Sequence, residues 1–177
     1  SAGGGFGSMT VPPDAGDTDA IGGLLKSQGD APPAARQPAA VTPPAAVSDA
    51  GAKQLYETAY GHLLQQDYGA AEASFEDFLK RYPNDSLAGN AQYWLGESYY
   101  VRGQYKSAAG AFLKGYQNFG GGAKAPDSLL KLAMSLDRLG QKDGACSSYS
   151  ELVGKFPHAP AHVKARAQSE RQRIGCP

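Results

Sequence analysis

Small apolar residues recur along the second part of the chain with a fixed spacing. They are Ala59, Gly96 and Ala133 in one set, and Ala71, Ala108 and Ala145 in another, and the interval is 37 residues within each set. Around these positions larger apolar residues follow at intervals of three or four, which is typical of one face of an α-helix. No segment shows sustained alternation of apolar and polar residues, so the pattern predicts an all-α protein.

The same pattern predicts seven helices separated by short turns. Their predicted ranges are 50–65, 68–82, 86–102, 105–118, 125–139, 142–156 and 160–174. Pro83 and Pro157 mark two of the turns. A helix is expected to end before each of them, because proline cannot continue a helix and disfavours helical geometry in the residue before it. A run of glycines beginning at Gly120 takes the equivalent place between them.

The segment from Gln92 to Phe112 resembles one tetratricopeptide repeat (TPR), which is a pair of antiparallel helices with small residues where the helices touch. The fixed period therefore predicts a TPR helical-hairpin solenoid of three repeats, near residues 52–88, 89–125 and 126–162. The last helix, at 160–174, is predicted to cap the third repeat, because the open end of a solenoid needs a covering element with a polar outer face.

Residues 1–51 differ from the rest in composition. They are rich in Gly, Ala and Pro and contain no Tyr or Trp, so they have too little apolar surface to offset the entropy cost of ordering. We expect a disordered linker there, followed by one folded domain at 52–177. The chain shows no initiator Met and no visible signal peptide, so we expect that a targeting segment has been removed.

Charge and hydropathy exclude two classes of partner. The formal net charge is +0, and the small basic excess of the domain is too weak to favour nucleic acid. No apolar run reaches the length of about 18 residues that a membrane span needs, so we expect no direct membrane insertion.

The first helix of each repeat is expected to face the inside of the solenoid, where its inner stripe would form a concave groove. This stripe is richer in tyrosine than packing inside each repeat requires, which favours binding of an extended peptide or a partner helix. The predicted groove residues are Lys53, Tyr56, Tyr60, Leu63, Asn90, Tyr93, Glu97, Tyr100, Leu130, Met134, Asp137 and Arg138. The alternative is that the tyrosines only cover the seams between repeats, with their hydroxyls in water.

Cys146 and Cys176 are expected near neighbouring ends of two antiparallel helices. Their distances from the connecting turn differ by roughly 7 Å along the helix axes, a mismatch that a non-helical end at Gly175 can absorb by folding back. A disulfide is therefore predicted, and it would pin the capping helix and indicate an oxidising compartment. The alternative is two unrelated thiols.

Evidence for catalysis is weak. His158 and His162 have a spacing that suits a metal, but His158 lies in a turn and both cysteines are expected at the far end of the helix pair. Solvated histidines are therefore favoured over a zinc site. The glycine run ending at Lys124 lacks the Lys-Ser/Thr signature of a phosphate loop and is interpreted as a turn. We expect no enzyme activity, no cofactor and no metal.

Several segments resemble the C-terminal TPR domain of the cell division coordinator family of the periplasmic Tol-Pal system. The matching segments are 55–60, 67–71, 75–83, 91–100 and 144–146. The most specific of them contains Tyr93-Trp94-Leu95-Gly96-Glu97. The resemblance covers residues 51–177 and implies a non-enzymatic protein of the Gram-negative periplasm, whose oxidising environment agrees with a disulfide.

The same resemblance implies a role and partners. It implies binding to TolA, contact with a bifunctional penicillin-binding protein, and coordination of outer-membrane constriction with septal peptidoglycan synthesis during cell division. Members of this family carry an N-terminal coiled coil that trimerises, and this chain does not contain one. The full-length protein is therefore expected to be a trimer and this chain a monomer. The alternative is a self-assembling TPR scaffold of the cell envelope with a different partner.

Overall fold

The computed structural model describes residues 49–177, and seven helices follow one another in this range. They are α1 (Ala50–Leu64), α2 (Tyr68–Arg81), α3 (Ala88–Val101), α4 (Tyr105–Asn118), α5 (Ala125–Arg138), α6 (Lys142–Lys155) and α7 (Ala161–Ile174). Every helix end lies within two residues of its predicted position. Residues 1–48 of the predicted linker lie outside the described residues, so the linker stays a prediction.

The helices form three antiparallel pairs and a final single helix. Each helix packs on the next, and the first helices of successive pairs also contact one another, α1 with α3, α3 with α5 and α5 with α7. Among the described helices the second members of the pairs, α2, α4 and α6, pack far less on each other. Because the first helices are closer together than the second ones, the stack curves with the first helices on its concave side. The predicted all-α repeat solenoid is confirmed.

The turn inside each repeat has the same backbone geometry. One residue in each turn has a positive φ, which is 59° at Gln66, 73° at Gly103 and 75° at Gly140. The N–H of the following residue bonds to the carbonyl five positions earlier, which is the Schellman ending of a helix. These residues again lie 37 apart, so the sequence period extends to the turns. Only the first repeat places a side chain other than glycine in this conformation, which glycine adopts at little cost.

An aromatic side chain at the same position of each repeat is fully buried between the paired helices. These are Phe75, Phe112 and Tyr149, each with an exposed fraction of 0%. In the second repeat the facing position is Gly96 rather than alanine, and a Cβ built there would lie 2.5 Å from Cε1 of Phe112. The small residue found by the sequence period is therefore required for the close approach of α3 and α4.

Helix α7 covers the open end of the third repeat. Val163 and Ala167 are fully buried, whereas most of the remaining helix surface is polar and exposed. The helix ends at Gly175, whose φ of 71° turns the chain back, and Cys176 N–H bonds to the Arg171 carbonyl at 2.9 Å. The predicted disulfide is present in the structure, with the Cα atoms of Cys146 and Cys176 5.5 Å apart. It fastens α7 to α6.

Candidate functional site: the concave face

We define the concave face as the surface that α1, α3, α5 and α7 present on the inside of the curve. The predicted groove residues lie on the first three of these helices, but their exposure differs. Lys53 and Arg138 are exposed, and Tyr93 and Leu130 are buried. The partly buried members are Tyr56, Tyr60, Leu63, Asn90, Glu97, Tyr100, Met134 and Asp137. The structure therefore brings the predicted set onto one face but leaves only part of it accessible.

Two predicted groove residues belong to the core. Tyr93 and Leu130 are each 7% exposed, and the Tyr93 ring packs at 5.7 Å from the Phe112 ring. Burial raises the pKa of the Tyr93 phenol strongly, with smaller contributions from nearby carboxylates. The expectation that all stripe tyrosines are surplus to the core is wrong for Tyr93, because its ring packs against Trp94 and Phe112 within the core cluster. Leu130 belongs to the same core cluster.

Trp94 occupies the centre of an aromatic cluster on the concave face, formed by Tyr56, Tyr60, Tyr93 and Trp94. The indole ring packs edge-on at 5.3 Å from Tyr60 and 4.9 Å from Tyr93, and its Nε1–H donates a hydrogen bond of 3.0 Å to the Tyr56 hydroxyl. Trp94 is not among the predicted groove residues. In the structure it joins the first repeat to the second. Its spacing of four residues from Asn90 was the signal that could have placed it on the inner stripe.

Two large apolar side chains are exposed at matching positions of neighbouring repeats. Leu64 has an exposed fraction of 68% and Val101 one of 48%, and they are 37 positions apart at the ends of α1 and α3. Both ends lie beside the inner stripe. Exposed apolar residues at equivalent positions of neighbouring repeats indicate an area that a binding partner can cover.

Three cations lie along the side of α5 that faces α3. The Nζ atom of Lys124 is 5.0 Å from the Tyr93 ring centroid and 5.2 Å from that of Trp94. Lys131 Nζ lies 4.5 Å from the Tyr100 centroid, and the Arg138 guanidinium lies 5.4 Å from the centroid of Tyr105. We call Lys124, Lys131 and Arg138 the cation row. Lys124 is not among the predicted site residues because the sequence pattern places it in a turn.

Two carboxylates of α5, Asp127 and Asp137, approach side chains of α7. Asp127 lies 4.0 Å from His162, and Asp137 forms an ion pair with Arg173. Arg173 also pairs with Glu170, and these two carboxylates raise the pKa of the guanidinium. Asp127 also lies near Tyr93, whose pKa is raised by burial and then by Glu97 and Asp127, so of these two carboxylates only Asp137 is confined to the seam with α7.

Other kinds of site find little support in the part of the chain that the structure describes. Residues 49–177 contain no group of three or more His, Cys, Asp or Glu side chains arranged to hold a metal ion. His158 and His162 are both exposed. Within the same range, no helix has the length and apolar character needed to cross a membrane.

Comparison with known proteins agrees with this architecture. Two family models described as tetratricopeptide repeat match residues 56–127 and 127–159. The chain is also similar to the cell division coordinator CpoB of Pseudomonas putida strain KT2440, with 45% identity over 51 residues. This match covers 29% of the chain and 19% of the relative. A second Pseudomonas putida protein of the same name shows the same identity and coverage. The chain therefore spans about a fifth of the length of these curated relatives.

Proposed function

The chain belongs to the tetratricopeptide repeat proteins, and from this premise we propose that it binds a segment of TolA along its concave face. In this proposal it acts in the Tol-Pal system of the Gram-negative periplasm and helps to coordinate outer-membrane constriction with septal peptidoglycan synthesis during cell division. A bifunctional penicillin-binding protein is a further partner of the whole protein. The chain acts by binding and not as an enzyme.

The observation that carries this proposal is the combination of accessible aromatic and apolar side chains on one curved surface. Tyr60 and Tyr100 are partly exposed there, and Leu64 and Val101 are largely exposed at the ends of the same helices. Tyrosine and aliphatic side chains that surround a groove supply apolar contact area together with hydroxyl groups for hydrogen bonds, which suits recognition of a peptide or helix.

The disulfide supports the proposed compartment. A bond between Cys146 and Cys176 forms and persists in an oxidising environment such as the periplasm, and it is rare in the reducing cytosol. The similarity to the cell division coordinator CpoB supports the proposed pathway in the same way.

The proposal is tested by calorimetric titration of the full chain with the purified periplasmic part of TolA. We expect binding with a dissociation constant at or below about 10 μM. A variant carrying Leu64→Ser and Val101→Ser should weaken binding by roughly tenfold, because each change removes exposed apolar contact area without disturbing the core. Val153→Ser is the matched control, since Val153 is also 48% exposed but lies on α6, outside the concave face.

Two results contradict the proposal. Absence of binding heat for the unmodified chain would remove TolA as the partner, and an equal loss in the Val153→Ser control would remove the concave face as the site. Light scattering on the same proteins without TolA tests the alternative of self-assembly. If the measured mass falls when Leu64 and Val101 are replaced, this surface forms contacts between copies of the chain.

A further inference from the structure

The cation row is evenly spaced. Lys124, Lys131 and Arg138 are seven residues apart, so each is two helical turns from the next. At 1.5 Å per residue the neighbouring cations are separated by about 10 Å along α5 and the row is about 21 Å long. It follows the seam between α3 and α5, in the middle of the concave face.

Two of the three cations have no carboxylate partner within residues 49–177. Lys124 and Arg138 are held only over aromatic rings, whereas Lys131 also lies 2.9 Å from Glu97 Oε1. A ring face occupies one side of an ammonium or guanidinium group. The remaining N–H donors of these side chains stay available to an acceptor from outside.

The other charges nearby neutralise only part of the row. Asp137 of α5 pairs with Arg173 of α7, whereas Asp127 also lies near Tyr93 in the seam. Glu97 pairs with Lys131, and with Asp127 counted as well the seam keeps a surplus of one positive charge. A groove with charge of one sign and aromatic walls attracts and orients a segment of the opposite sign.

We propose that the cation row binds an acidic segment of the partner protein, with carboxylates that recur about every 10 Å. In the polyproline II conformation a chain advances about 3.1 Å per residue with three residues per turn, so Asp or Glu at every third position lie on one side, about 9 Å apart, and would meet each cation in turn. This inference rests on the proposed function, because it assigns the chemistry of the segment that the concave face recognises. The partly exposed rings of Trp94, Tyr100 and Tyr105, which lie beside the cations, provide contact for the residues that separate the carboxylates.

The test uses the full chain and a fluorescently labelled peptide of about nine residues with glutamate at every third position and serine and glycine elsewhere. A second peptide has the same composition with its glutamates in one block. We expect the spaced peptide to bind about fivefold more tightly than the blocked one by fluorescence anisotropy, and to weaken as salt is raised. Equal affinity for both peptides would overturn the proposed spacing.

Paired variants locate the site. Replacing Lys124 and Arg138 together by glutamine should weaken binding of the spaced peptide by about tenfold. The matched control replaces Lys80 and Lys114, which line a cleft on the outer side of the stack, and removes the same charge. We expect less than about a twofold effect there. Equal losses in both variants, or equal binding of an oligothymidine of similar length, would show attraction of any polyanion and overturn the inference.

The same variants separate this inference from the proposed function. If TolA binds and the Lys124→Gln, Arg138→Gln variant binds it unchanged, the inference fails and the proposed function stands. If TolA does not bind but the spaced peptide does so through the row, the inference stands and the proposed partner is wrong. Thermal unfolding of each variant shows that a loss of binding does not arise from unfolding.

Discussion

The Trp94 indole donates a hydrogen bond of 3.0 Å to the Tyr56 hydroxyl, and this bond connects the first helices of two successive repeats. The bond is partly buried and lies within the aromatic cluster. Burial raises the pKa of the Tyr56 phenol, while the bond from Trp94 opposes that rise. The cluster therefore has a structural role in addition to its position on the proposed binding face.

Removing this bond should loosen the junction of the first two repeats. We expect Tyr56→Phe to lower the free energy of unfolding by about 1 kcal/mol, because the Trp94 N–H loses its acceptor while the ring packing is kept. Tyr60→Phe is the control, since Tyr60 contacts Trp94 only through its ring. The free energy of unfolding of both variants is measured by urea unfolding, followed by the fluorescence of Trp94, which is the only tryptophan in the sequence. A loss as large in the control would show that the bond is not the cause.

Replacing Gly96 by any larger residue should lower the stability of the fold. Gly96→Ala places a methyl group against the Phe112 ring, where the built Cβ lies 2.5 Å from Cε1, and we expect a loss of about 1–3 kcal/mol in stability. Gly110→Ala in α4 is the matched control, because a Cβ there meets nothing within 4 Å. That change should stabilise the helix by about 0.5–1 kcal/mol. Denaturant unfolding measures the free energy of unfolding of both variants. If Gly96→Ala and Gly110→Ala changed it in the same direction, the packing argument would be wrong.

Tyr149 has a hydroxyl with no hydrogen-bond partner among the described residues, although the side chain is 0% exposed. The first two repeats place Phe75 and Phe112 at this position. We therefore expect Tyr149→Phe to increase stability by about 1 kcal/mol, because the buried hydroxyl loses its hydration without compensation. A decrease in the unfolding free energy would mean that the hydroxyl is bonded in solution, for example to a buried water molecule.

The disulfide should contribute a large share of the stability of the last repeat. It links residues 30 apart, and the loop-entropy relation gives a contribution of about 3.5 kcal/mol. Replacing Cys146 and Cys176 by serine should lower the midpoint of urea unfolding and speed amide hydrogen exchange in α7 before the other helices. A reducing agent should have the same effect on the unmodified chain and none on the serine variant. Unchanged exchange in α7 would show that packing alone holds it.

Tyr116 should lose its proton only at unusually high pH. Burial, followed by the hydrogen bond of 2.6 Å that its hydroxyl donates to Glu151, raises the pKa of this phenol to about 12. Because the folded value lies above the ordinary value of 10.0, the contribution to stability is complete below pH 10 and is lost as pH rises through about 12. The difference in tyrosinate absorbance between the unmodified chain and Tyr116→Phe should show a step near pH 12. A step near pH 10 would contradict this assignment.

The sequence predicted the helices because their period is a property of local spacing. Small residues such as Ala59, Gly96 and Ala133 mark where paired helices touch, and turn residues that stop a helix follow at fixed distances. The pattern therefore placed every helix end within two residues. It also indicated the disulfide, since two antiparallel helices bring Cys146 and Cys176 together once their lengths are known.

The accessibility of the concave face could not be predicted in the same way. Helical periodicity assigns a side chain to a face, but the contact between successive first helices decides whether that side chain stays exposed. Tyr93 lies in such a contact and is buried, whereas Tyr100, two turns later on the same helix, remains partly exposed. The cation row depends on rings from α3 and α4, which only the packed structure brings beside α5.

The disulfide also determines how the molecule would carry a mechanical load. A pulling force applied beyond Cys176 passes through the bond to Cys146 in α6, so it cannot peel α7 away from its end. The residues between the two cysteines, which would release roughly 100 Å of chain if extended, stay inside a covalent loop. Tension therefore enters the solenoid through a second helix of a complete repeat, where the whole pair of helices resists it.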